Sequence, residues 1–236
     1  MAASQRRRNC RRSARLSILS EPLDLAAKTY LSAIGAAAIY ISVEDDRPVS
    51  VGAARDLDKA LKHLRNVISP TVALGWVAWS PRYDVLVEIA SEPNLLDVNT
   101  AHGVEALPLV QLIGLIEHMA KQRGIVLTPH RRALERAQVY AKFLDDTLAG
   151  LQDSGAFVAF NQAYKTHRHE AKARGESVQP YWAVMTDLRG VIIRALIANK
   201  KNRLDPSSML EEIRKQFPWL ARTVHNGRRK REKPNR

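Results

Sequence analysis

The chain has 236 residues, 45% of them hydrophobic, a single cysteine and a formal net charge of +13. That is enough apolar matter for a buried core without staples, and one thiol, Cys10, excludes both a disulfide framework and a cysteine zinc site. No run approaches the ~18 uninterrupted apolar residues of a membrane span; the most apolar stretch, 106–116, is closed by Glu117 and His118.

In chain order, the first segment is a basic arm. Residues 1–16 hold six arginines and no acid, so 1–19 are expected to stay disordered until they neutralise phosphates. The arm's apolar part is too short for a secretory signal, but its arginine and serine content resembles a mitochondrial transit peptide. The expected location is the cytoplasm of a bacterium, or the mitochondrion if the arm is such a peptide.

Residues 24–33 read as a short helix ending before Gly35. AAAIYISV (36–43) is apolar and β-branched, EDDRP is a turn cluster, and PVSVG (48–52) is the returning strand of a hairpin. Residues 53–67 form an amphipathic helix, with Ala54, Leu57, Leu61, Leu64 and Ile68 at three- and four-residue spacings. TVALGWVAW (71–79) is a third strand. Ser80 and Pro81 suit the N-cap and first position of a helix over 81–91. EPNLLDVNTAHG (92–103) reads as a loop.

Everything beyond reads as helix. Residues 105–123 are apolar nearly all round, which predicts a buried helix. Thr128-Pro129 caps the next, to about Gly150. Residues 154–174 carry Phe157, Phe160 and Tyr164 on one stripe, 180–199 form another helix, and Asp205-Pro206-Ser207-Ser208 opens a last one through Phe217. The expected fold is α+β: a small three-stranded sheet with covering helices in 20–95, a helical domain in 104–218, and a second basic disordered tail in 219–236.

The charge is unevenly placed. Residues 17–161 sum to −4, 162–203 to +6, and each of 1–16 and 222–236 to +6. A polyanion would therefore meet the tails and the 162–203 helices. Lys165, Arg168 and Lys172, with neighbouring His169, fall away from the aromatic stripe, followed by Arg174, Lys200, Lys201 and Arg203, and by Arg228, Arg229, Lys230 and Arg231 in the tail. Contacts to phosphates carry no base information, so the expected nucleic-acid binding is largely sequence-independent. No P-loop, dinucleotide fingerprint, nucleophile elbow or His-Glu-x-x-His is present.

Ala38-Ile39-Tyr40 on the first strand, Ser50-Val51-Gly52 on the second and Arg55-Asp56-Leu57-Asp58-Lys59-Ala60-Leu61 after it resemble the GIY-YIG nuclease superfamily, closest to a phage- and plasmid-associated branch, over residues 36–91. The resemblance implies a GIY-YIG-like sheet and metal-assisted phosphodiester hydrolysis. It assigns Tyr40 to water activation and Glu88 to a catalytic magnesium or manganese ion, with Glu117 and His118 a weaker alternative; Arg55, or Lys59 pointing about 100° away on the helix, would have to replace the usual helix arginine. Two positions depart from the pattern. The second motif's tyrosine is Ser50, and the helix arginine falls on Ala60, which has no donor for the transferring phosphate. The reading is a nucleic-acid-associated protein with a catalytically degenerate domain and no certain cofactor. An active metal-dependent endonuclease with a rearranged site is the alternative, and a non-enzymatic protein binding an acidic partner through its tails is a third.

Overall fold

The structure is a computed structural model that describes residues 22–93, 95–100, 103–201 and 204–220. Both basic tails, and with them Arg228, Arg229, Lys230 and Arg231, lie outside the described residues, as does Arg203. The fold is mixed α+β, a small antiparallel sheet followed by a helical second half.

The elements are α1 (Leu25–Ala33), β1 (Ala37–Glu44), β2 (Arg47–Ala54), α2 (Leu57–Val67), β3 (Ala73–Ser80), α3 (Tyr83–Ala90), β4 (Asp97–Thr100) and β5 (Gly103–Ala106). They continue with α4 (Leu109–Gln122), β6 (Thr128–Pro129), α5 (His130–Asp153), α6 (Ala156–Ala173), α7 (Tyr181–Asn199) and α8 (Pro206–Gln216). The main sheet runs β2-β1-β3-β6, and β4 pairs with β5 as a separate hairpin.

The apolar AAIYISVE strand takes the inner position, as its chemistry demands, and is buried along all but its last residue. Asp45 and Asp46, both with positive φ (48° and 62°), close the tight turn to β2. That backbone hand matches the twist of the two strands. Ala37, Ile39, Ile41 and Val43 leave one face of β1 and pack with Val85, Leu86 and Ile89 of α3 and Leu112, Ile116 and Met119 of α4. Tyr40 and Ser42 alternate to the opposite face, as the two-residue period of a strand requires.

Four sequence expectations are corrected. The helix expected from residue 53 begins at Leu57, because Ala53 and Ala54 still pair with β1. Asp56 is its N-cap and accepts the Lys59 N–H at 3.1 Å. The stretch read as a loop over 92–103 holds most of the β4–β5 hairpin. Thr128 and Pro129 do not cap a helix; they pair with Trp79 and Ala78 as the fourth strand. The helix expected to be buried all round starts at Leu109 and buries only one stripe, leaving Val110 72% exposed.

The described chain divides into two compact units. The first holds Gly35–Leu134 and the second holds Leu25–Ile34 with the chain from Glu135 onward. α4 thus belongs with the sheet, whose core its Leu112, Ile116 and Met119 complete. In the second unit α1 and α8 both pack on α7. Phe160 lies at its aromatic centre, 5.6 Å from Phe217 and 5.3 Å from Trp219 between ring centroids.

Candidate functional site

The motif residues of the sheet come first. Tyr40 stands directly across from Gly52. Its ring occupies the space a side chain there would fill: a Cβ at Gly52 would fall 2.5 Å from Tyr40 Cζ. A side chain at 52 would therefore force the Tyr40 ring to shift, and glycine permits the close approach. Burial raises the Tyr40 pKa, and the nearby Tyr83 phenol raises it further. The phenol stays protonated at neutral pH and is a poor proton acceptor there.

Ser50, standing where the resemblance expects a tyrosine, is used elsewhere. Ser42 is fully buried, and its hydroxyl meets that of Ser50 across the strands at 2.5 Å. A buried hydroxyl without a partner is costly, so Ser50 serves the sheet.

Arg55 is exposed just past the end of β2, with its guanidinium carbon 4.9 Å from the centroid of the Tyr83 ring. Tyr83, at the start of α3, thus links two of the expected residues, Tyr40 and Arg55. Sequence reading did not single it out; no motif marks it, and only its place in the first turn of a helix after β3 was visible. Lys59 is tied to Asp56 at 3.2 Å, and Ala60 offers no polar group on α2.

Glu88 is exposed. It lies five residues beyond Tyr83, about 140° around the helix, so its carboxylate leaves α3 on a different side. Its neighbour one turn earlier, Asp84, is held by Arg82 at 2.9 Å, and Glu88 adds to the field around the same guanidinium. Asp84 is tied to a cation and Glu88 stands exposed without a second acid converging on it, so this face does not fit a magnesium or manganese ion, which needs converging oxygen donors. Among the described residues no group of three or more His, Cys, Asp or Glu is placed to hold a metal. In the weaker pair, His118 Nε2 lies 2.9 Å from the Gln122 side chain.

The second site is the outer arc of α6. Phe160, Ala163, Tyr164 and Ala171 are its buried side. Lys165, Arg168 and Lys172 are all exposed and fall within about 60° of one another, on an arc that begins about 40° from Tyr164. None of the three is ion-paired among the described residues. Arg174 differs: its guanidinium holds Glu176 through two bonds of 2.8 and 2.9 Å. Lys200 caps α7 in a left-handed conformation, and it and Lys201 are exposed.

A third polar feature was not anticipated. Trp79 Nε1 donates to His130 Nδ1 at 3.0 Å. His130 Nε2 is buried without a hydrogen-bond partner, and burial lowers the pKa of the ring. The residues are 51 apart in sequence, so only the β3–β6 pairing brings them together.

No protein-family model matches the chain, and neither does any curated protein or solved structure. No helix among the described residues is long and apolar enough to cross a membrane.

Proposed function

We propose that this chain is a nucleic-acid-associated protein whose GIY-YIG-like sheet is catalytically degenerate. The carrying observation is the outer arc of α6, where three exposed cations share one face and lack acidic partners among the described residues. Unpaired cations spaced along one helix face suit phosphate backbones, and neutralising phosphates releases counterions. The charge balance of the tails, +6 at each end, adds to the same preference.

The degenerate reading draws on the sheet. Ala60 has no charge to give, Ser50 is used by Ser42, and Glu88 lies apart from Tyr83. Losing one transition-state donor typically costs ~10²- to 10³-fold in rate. Arg55 lies over the Tyr83 ring, and a guanidinium cannot activate water.

The test is to incubate the purified chain with duplex and single-stranded DNA and RNA in magnesium and in manganese. The expected result is a retarded complex with intact nucleic acid. Metal-dependent cleavage that Glu88→Ala abolishes would overturn the degenerate reading. Failure to bind any nucleic acid, with retention on an acidic protein, would overturn the partner class.

A further inference from the structure

The exposed arc of α6 is not basic along its whole length. Val158, Asn161, Lys165, Arg168 and Lys172 fall within about 80° of one another and advance about 21 Å along the axis. The first of them, Val158, is 69% exposed. Beside Asn161 the chain returns. Tyr164 donates its hydroxyl to the Gln179 carbonyl at 2.8 Å, and Tyr181 donates to Asn161 Oδ1 at 2.8 Å. The start of α7 is thereby pinned to the middle of α6, with the Tyr181 ring 5.4 Å from that of Tyr164. Tyr181 is 41% exposed, and the next residue, Trp182, is 72% exposed.

Trp182 has no structural task on this surface. Its indole N–H makes no hydrogen bond among the described residues, whereas Trp79 is buried and bonded and Trp219 packs in the aromatic core. Tryptophan has the largest apolar surface of any side chain, and leaving it in water forgoes the burial that stabilises the other two. An exposed large apolar residue beside Tyr181, whose hydroxyl reaches Asn161 one helical turn before Lys165, suits a ligand with both a flat apolar part and a negative charge.

We infer that the α6–α7 surface binds single-stranded nucleic acid, with bases stacking on Trp182 and Tyr181 and the phosphates following Lys165, Arg168 and Lys172. This rests on the nucleic-acid reading above and adds strandedness and the stacking residues to it. A duplex keeps its bases stacked on one another and offers phosphates only, so the aromatic end would go unused. An unpaired strand presents ring faces beside its phosphates, the combination that single-strand binders use. An anionic membrane would also suit a basic helix with a tryptophan, but the arc offers few apolar groups for insertion, and its aromatic side already faces the core.

The full chain is titrated against a short oligothymidylate, a duplex of equal length, and vesicles of phosphatidylcholine with phosphatidylserine. Trp182→Ala is expected to weaken single-strand binding about tenfold, the loss of one stacked base, and to leave duplex affinity unchanged. Trp182→Phe should retain most of the single-strand affinity, and Lys165→Gln with Lys172→Gln should weaken both. If wild type binds but Trp182→Ala is unchanged, or loses equally on both strands, the stacking inference fails while the nucleic-acid reading stands. If neither oligonucleotide binds, both fail. A Trp182-dependent emission shift with vesicles and not with oligothymidylate would assign the surface to lipid and overturn the inference.

Discussion

The end of the sheet at Tyr40, Arg55 and Tyr83 and the outer arc of α6 both place cations beside tyrosines, yet they spend their polar groups differently. Around β2 nearly every group has a local use: Ser50 satisfies Ser42, Asp56 caps α2 and holds Lys59, Arg82 holds Asp84, and Arg55 lies on Tyr83. On α6 the cations Lys165, Arg168 and Lys172 are exposed without such uses. The motif positions read from the sequence lie in the first region, and exposed cations without ion pairs among the described residues lie in the second. A motif shows what a segment resembles; the groups left unused by folding show where a ligand can be recognised.

The comparison breaks most easily at the tails. Removing residues 1–16 and 222–236 deletes up to 13 cationic side chains. If about half contact phosphate, the log–log salt dependence of duplex binding should flatten by roughly five units. Equal salt dependence in the two chains would move the binding charge into the described domains.

Stability sharpens the sheet side. Gly52→Val places a branched side chain where the Tyr40 ring lies, and should lower unfolding free energy by about 1–3 kcal/mol in a urea titration. Pairing with Tyr40→Ala should recover part of that loss, because it empties the contested space. A Gly52→Val chain as stable as wild type would mean that Tyr40 is free to move off Gly52.

The smallest expected effect concerns pH. Burial holds the His130 pKa below its ordinary value, while Nδ1 accepts the Trp79 N–H. The unfolded chain therefore takes up the proton first as pH falls. This contribution is fully present above the ordinary histidine range and is lost as pH drops through the lowered folded value. Thermal unfolding should show a decline from pH 7 to pH 5 that His130→Phe reduces. An unchanged profile in that variant would assign the decline to other groups.

Much of the fold is legible in the sequence because its signals are local. Short apolar runs bounded by turn signals mark β1 and β3, and the spacing of Leu57, Leu61 and Leu64 marks α2. Asp205 before Pro206 marks α8, where its carboxylate accepts the Ser207 and Ser208 N–H groups. Features that depend on distant partners are not legible. Thr128 and Pro129 read as a helix start because nothing local shows that Trp79 and Ala78 leave a free strand edge. Residues 97–106 lack the β-branched density that would outvote their Asn, Asp and Gly. The apolar composition of α4 hides the fact that only one stripe meets the sheet. At the candidate sites, the basic arc of α6 follows from helical spacing alone. Tyr83 beneath Arg55, Tyr181 on Asn161 and His130 on Trp79 are tertiary pairings that no spacing encodes.

The central claim is that phosphate is met by α6 and not by the end of β2. The direct measurement is a salt titration of nucleic-acid binding for three chains: wild type, Lys165→Gln/Arg168→Gln/Lys172→Gln, and Arg55→Gln. The account predicts a slope about two to three units shallower for the triple variant, at just under one counterion per phosphate contact, and an unchanged slope for Arg55→Gln. A shallower slope for Arg55→Gln with an unchanged triple variant would contradict it.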